Sequence, residues 1–274
     1  MAPFSYEEDN KQLRYITQLR SNRVLDLRIC EIPEGVQVDI TGSLNPDEKK
    51  EIRAQVTWML GLDSDFSEFY ALAKKEPKLA QMKKKAQGRA LRSPTLFEDV
   101  IKTILTTNTL WGATKRMNQN LIKQFGSPLE EDPEQRAFPS PKQIASTSES
   151  VLRQETRLGY RAPYVLELAQ SIASGKTDLE LLKDPTIPTE KLRKALLEIK
   201  GVGNYATANL LNILGRYDFL PIDTWALKVV SYEWYDGQSI GPKEVEAAFE
   251  KWGKWRGMAY WFWNWAYYHK DSDS

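Results

Sequence analysis

The turn Lys200-Gly201-Val202-Gly203 separates two apolar-periodic stretches, and a lone Asp223 follows Pro221-Ile222 about twenty residues later. Closely spaced backbone N–H groups at a helix N-terminus form an anion site that is indifferent to sequence, which suits a nucleic-acid phosphate. Gly201 can take the left-handed conformation that ends a helix. Gly203 has no side chain, so a phosphate oxygen can approach its main chain. Asp223 then supplies one carboxylate near that anchored backbone. This pairing points to an enzyme that works on DNA. Two plainer readings stand beside it. The turn can be an ordinary helical hairpin, and Asp223 can cap a helix starting at Thr224-Trp225-Ala226-Leu227. Capping uses one carboxylate oxygen, so Asp223 can do both jobs.

The elements that must position these residues follow from spacing. Leu192, Leu196 and Ile199 before the turn fall on one helical face, as do Ala206, Leu210 and Ile213 after it. Residues 1–22 are polar and read as a partly ordered lead-in. Alternation from Val24 to Gly42, broken by Pro33-Glu34-Gly35, predicts antiparallel strands. Pro46-Asp47 opens a helix with Ile52, Val56, Met59 and Leu60 inward, and Asp63-Ser64-Asp65 precedes another. From Ser93-Pro94 the pattern is helical: Phe97, Ile101, Ile104 and Leu105 share a face, Thr106–Thr109 interrupts, and Met117, Leu121 and Phe125 line the next helix. Gly126–Pro141 reads as a loop, and Val165, Leu168, Ala169 and Ile172 as a helix ended by Gly175. The fold expected is mainly α, with a small N-terminal α+β domain holding an antiparallel sheet over 1–88 and a helical domain over 89–274. The cluster Trp252, Trp255, Tyr260, Trp261, Trp263 and Trp265 reads as core.

Composition narrows the classes. The 274 residues carry a net charge of +1, so bulk charge alone gives no reason to expect nucleic acid. Basic residues do cluster, at Lys83-Lys84-Lys85 with Arg89 and Arg92, at Lys115-Arg116, and at Lys251, Lys254 and Arg256. Acidic ones gather at 130–134 and 271–273. No apolar run is long enough for a membrane span and MAPFSYEEDNK has no signal-peptide core. The single Cys30 excludes an internal disulfide and a four-cysteine iron–sulfur loop, and the single His269 argues against zinc. A reducing, intracellular setting is expected: cytoplasmic in a bacterium, nuclear in a eukaryote.

Four segments carry a resemblance. Leu197 to Ala208 (LEIKGVGNYATA) resembles the hairpin of the helix-hairpin-helix-GPD DNA glycosylase superfamily, and Pro221-Ile222-Asp223 its catalytic aspartate element. Leu158 to Val165 (LGYRAPYV) is similar to a run of the 8-oxoguanine branch, and Trp255-Arg256-Gly257-Met258-Ala259 to the terminal helix of the bacterial alkyladenine branch. The resemblance covers residues 90–265, and is nearest to the alkyladenine (3-methyladenine) glycosylase II branch.

The resemblance implies a helix-hairpin-helix glycosylase fold and a monofunctional DNA glycosylase that everts and excises damaged bases, alkylated purines first. Asp223 is the catalytic residue it implies. Bifunctional relatives carry a lysine two residues after the second hairpin glycine, which forms a Schiff base with the sugar. Tyr205 stands there, and a phenol cannot do that chemistry. Tyr205, Trp225 and Trp111 are expected to line the base pocket, where electron-rich rings favour a cationic base. Asn108, with Leu110 as second choice, is expected to fill the hole left by the everted nucleotide, with Tyr160 wedging the other side. Lys200, Gly201, Val202, Gly203 and Arg161 are expected to hold phosphates. No cofactor or metal is expected, a monovalent cation structuring the hairpin being the one candidate. The partner is double-stranded DNA containing a damaged base, bound by a monomer and away from membranes. Two alternatives stay open: an oxidised-purine (8-oxoguanine) glycosylase, and a non-catalytic helix-hairpin-helix DNA-binding module.

Overall fold

The computed structural model describes residues 1–85 and 87–265. His269 and the acidic stretch 271–273 lie outside the described residues. The packing divides the chain into two units. Among the described residues, the first comprises 1–62, 93–184 and 199–201, and the second comprises 63–92, 185–198 and 202–265. The boundary read from sequence at 88–89 therefore falls inside the second unit. The helix Ser67–Ala73 explains the difference: Phe66, Phe69, Leu79 and Met82 bury themselves in the aromatic core of the second unit rather than under the sheet.

In the first unit, strands β1 (Phe4–Glu7), β2 (Gln12–Gln18), β3 (Val24–Ile32) and β4 (Gly35–Asp39) form an antiparallel meander in sequence order. Two of these strands lie in residues 1–22, so that stretch is not the lead-in its polarity suggests. Glu7 to Lys11 only form the hairpin end, while Tyr15, Ile16 and Thr17 are buried. Register accounts for the polar residues as well. Arg14 faces Arg28 across the ladder, and Asp26 takes a bond from each guanidinium, at 2.8 and 3.1 Å. Like charges placed opposite each other are thus relieved by a shared acid.

Tyr15, Leu25, Leu27 and Ile29 pack against Ile52, Val56 and Met59 of the helix Pro46–Leu60, which starts at an Asn45–Glu48 capping box. The helix Leu96–Thr106 is buried along most of its length and carries an unusual polar set. The Tyr15 hydroxyl donates to Glu98 at 2.6 Å, Lys102 pairs with the same carboxylate, and the Ser93 N–H donates to Asp99. Burial pushes the Asp99 carboxyl up to about 7. Helices Trp111–Phe125, Glu149–Thr156 and Ala162–Ala173 complete this unit.

The second unit is helical. Helices Thr189–Leu197, Asn204–Ile213, Thr224–Trp234, Pro242–Phe249 and Arg256–Phe262 accompany Ser67–Ala73. Trp252, Trp255, Tyr260, Trp263 and Trp265 are buried in its core, as their clustering predicts, with Trp261 packed at the edge.

Candidate active site

Helix Thr189–Leu197 ends as the chain reaches Gly201, whose φ of 88° is left-handed. A Cβ there would also lie 2.8 Å from the Tyr164 ring, so both conformation and space call for glycine. Gly203 caps the helix Asn204–Ile213 through its backbone and faces open space, so the amides beside it are approachable. Lys200 is exposed and paired with Glu167 at 2.7 Å. An exposed pair of this kind is worth little and can exchange partners.

Asp223 caps Thr224–Trp234, accepting from the Ala226 N–H through Oδ1 at 2.8 Å. Its Oδ2 has no hydrogen-bond partner among the described residues. The carboxylate lines a cavity of about 390 Å³ together with Asn204, Tyr205, Phe219, Glu190, Arg193, Glu246 and Arg256. The two residues following Gly203 thus share a cavity with the acid. That volume lies within the usual range for a small-ligand site.

The cavity is more charged than sequence reasoning suggests. Arg193 lies 5.6 Å from the Phe219 ring and donates to Asn204. Arg256 donates from Nε to the Asp218 carbonyl. Glu190, Arg193 and Glu246 carried no sequence signal, because each sits on an ordinary amphipathic helix. Arg256 had one, the Trp255-Arg256-Gly257 run. Of the expected ring residues only Tyr205 lines this cavity. Trp225 packs against the aromatic core instead, because it follows Asp223 on a helix whose inner face is apolar. Trp111 belongs to the first unit, where it is 58% exposed in the first turn of its helix.

In the first unit, Thr107 gathers two expected residues, Tyr160 and Arg161. Tyr160 lies within 3.4 Å of both Thr107 oxygens, and Arg161 makes a short bond from its guanidinium to the Thr107 carbonyl. The Arg161 guanidinium stacks 4.4 Å from the Tyr160 ring. Hydrogen bonds with Thr107 and Asn108, with Arg161 alongside, hold the Tyr160 phenol below its usual range. Asn108 has φ 46°, a left-handed conformation uncommon outside glycine. Leu110 is 83% exposed, the most exposed large apolar side chain among the described residues. Arg161 itself is only 6% exposed. A buried guanidinium bonded to a loop carbonyl anchors that loop.

Among the described residues, no helix is long and apolar enough to cross a membrane, and no group of three or more His, Cys, Asp or Glu is arranged to hold a metal.

The profile of the HhH-GPD superfamily base excision DNA repair proteins matches residues 101–254, more than half of the chain. The chain is 26% identical over 180 residues to the DNA-3-methyladenine glycosylase of Bacillus subtilis, covering 64% of this chain and 58% of that one. It therefore spans under two thirds of the curated relative's length. Among solved structures it resembles the 3-methyladenine DNA-glycosylase from Archaeoglobus fulgidus, with TM-score 0.73 and 22% identity over 95% of this chain and 87% of that one. It also resembles the Clostridium acetobutylicum 8-oxoguanine glycosylase/lyase in complex with double-stranded DNA, with TM-score 0.71 and 22% identity over 99% and 88% of the two chains.

Proposed function

Because the chain belongs to the HhH-GPD superfamily of base excision DNA repair proteins, we propose that it is a DNA glycosylase that hydrolyses the N-glycosidic bond of a damaged base, alkylated purines foremost. The observation that carries this reading is Asp223 in a cavity shared with Asn204 and Tyr205, the residues directly after the glycine turn.

As the base departs, positive charge spreads over the deoxyribose. A carboxylate already fixed by its bond to Ala226 can stabilise that charge without reorganising. Its other oxygen is available to the sugar or to the incoming water. The approachable amides around Gly203 hold a phosphate of the same strand, and the loop bearing Asn108 and Leu110 fills the space the nucleotide leaves. Tyr205 lacks an amine, so release is hydrolytic and strand cleavage by β-elimination is not part of the reaction.

Two observations bear on the base. The B. subtilis relative is named for 3-methyladenine, which favours alkylated purines. Arg193 in the cavity lining favours instead a base edge rich in acceptors, so an oxidised purine is the second reading.

The test is free-base release from duplexes carrying alkylated, deaminated or oxidised bases, with borohydride trapping run alongside. Release of alkylated purines without a trapped adduct is expected. Asp223→Asn keeps the cap and DNA binding but loses release by about 10²–10³-fold, the scale for removing one transition-state stabiliser. Near-normal release by that variant would overturn the assignment.

A further inference from the structure

Resting on the glycosylase reading above, we propose that Arg256 and Gly257 are the positioning pair for Asp223, clamping the irregular segment that ends in the acid.

Residues 216–222 form neither helix nor strand. Such a segment has no ladder to fix it, and its carbonyls need partners from elsewhere. For two of these carbonyls, the partners come from one place in the sequence. The Gly257 N–H donates to the Tyr217 carbonyl at 2.6 Å, and Arg256 Nε donates to the next carbonyl, that of Asp218. The Asp218 side chain in turn accepts from the Thr189 hydroxyl at 3.0 Å, and Arg216 donates to the Pro185 carbonyl at 2.9 Å. Downstream, Leu220 and Pro221 are buried, and Asp223 closes the segment by capping Ala226. The acid is therefore held from both ends, with apolar anchors between them.

Space makes the pair specific. A Cβ on residue 257 would lie 2.3 Å from the Phe219 carbonyl oxygen and 2.8 Å from that of Tyr217. Both are backbone atoms of the segment itself, so any larger residue must push the segment aside. The arginine is equally particular. Its Nε–H holds the carbonyl, and the same residue lines the cavity that Asp223 lines. A lysine ammonium at the end of a flexible stem cannot make both placements at once. Arg256 acts on the chemistry through Asp223, so it is a positioning residue.

Two measurements decide this on the full chain. The first does not depend on activity: exchange of the Ala226 amide hydrogen, which is bonded to Asp223. In Arg256→Met that exchange is expected to rise about tenfold, as for local opening, while amides of Val229 and Val230 keep their protection. Unchanged Ala226 exchange sinks the clamp. The second is single-turnover base release by Arg256→Met, Arg256→Lys and Gly257→Ala. Each is expected to fall about 30- to 100-fold, in line with an ångström-scale misplacement of a reacting group. Affinity for a duplex with an uncleavable abasic analogue should stay within about twofold. The same substitutions placed on Asp223→Asn should cost nothing further, because groups that act as a unit are non-additive. An equal additional loss on that background shows that Arg256 acts on DNA directly and overturns the proposal. Should the wild-type chain release no base from any duplex, the functional reading fails, while Ala226 exchange still decides the clamp.

Discussion

Each unit fixes a short irregular segment by an arginine that donates to a main-chain carbonyl: Arg161 to Thr107 in one, Arg256 to Asp218 in the other. What the segments do with that support is opposite. The segment of the first unit offers apolar side chains to solvent, Leu110 and Trp111 above all, and keeps Asn108 in a left-handed conformation. The segment of the second unit buries Leu220 and Pro221 and spends its terminal carboxylate on a helix cap. Exposed apolar side chains on a strained loop are unfavourable unless something covers them. A buried frame around an acid gives stillness, which electrostatic catalysis needs. One segment is shaped to meet a partner and the other to hold a charge in place.

Breaking the anchor of the first segment is expected to weaken DNA binding. Arg161→Met removes a charge-assisted bond of about 1.5–3 kcal/mol and leaves the Thr107 carbonyl with only the long 3.4 Å bond from the Tyr160 hydroxyl. Binding must then reorder the loop, so affinity for a duplex with an abasic analogue should weaken about tenfold or more. Base release from substrate already bound should change little. A result in which release collapses and affinity holds would erase the distinction between the two segments.

The interiors also differ in their response to pH. Asp99 in the first unit is held near 7 by burial, with Glu98 adding to the shift while the Ser93 bonds and Lys102 oppose it. The unfolded carboxyl titrates near 3.8, so between these values the folded chain binds the extra proton. Stability of this unit should therefore fall as pH rises from about 4 to about 7, by up to roughly 1.4 kcal/mol per pH unit. Asp99→Asn should flatten that slope, read by denaturant unfolding at several pH values. In the second unit, burial raises the Tyr217 phenol above 10, well outside that window. A slope retained in Asp99→Asn would assign it to another group.

How much of this was legible in the sequence depends on which physical signal each residue leaves. The glycine turn and Asp223 were readable because left-handed backbone and helix capping restrict residue type. The apolar faces of Leu96–Thr106 and Trp111–Phe125 were readable by period. Strands β1 and β2 were not, because their buried side chains are few and their hairpin end is a run of charges. The burial of Arg161 was not legible for a related reason: a buried arginine and an exposed one look alike in sequence until a neighbouring carbonyl is placed beside one of them. Trp225 was assigned to the pocket by proximity to Asp223 in sequence, and helical rotation carries it elsewhere. Where residues 63–88 pack was not legible, because nothing in them states which core their aromatic side chains enter.

The smallest expected effect concerns charge, and it separates lysines that look equivalent in sequence. Lys78, Lys251 and Lys254 of the second unit are paired, with Glu233, Glu76 and Glu68. Lys83, Lys84 and Lys85 are exposed and carry no ion pair among the described residues. They stand on a turn seated by the buried Leu79 and Met82, so their charges are presented rather than loosely tethered. On a chain of net charge +1, such an unneutralised run is where a DNA phosphate would gain most. Each phosphate contact contributes about 0.9 to the slope of log affinity against log salt. Replacing all three lysines by serine should lower that slope by up to about 2.7 and leave base release at saturating protein unchanged. Arg256→Met should do the reverse, lowering release and sparing the salt slope. If the lysine variant leaves the slope untouched, phosphate binding belongs to the hairpin amides and the run is solvated surface.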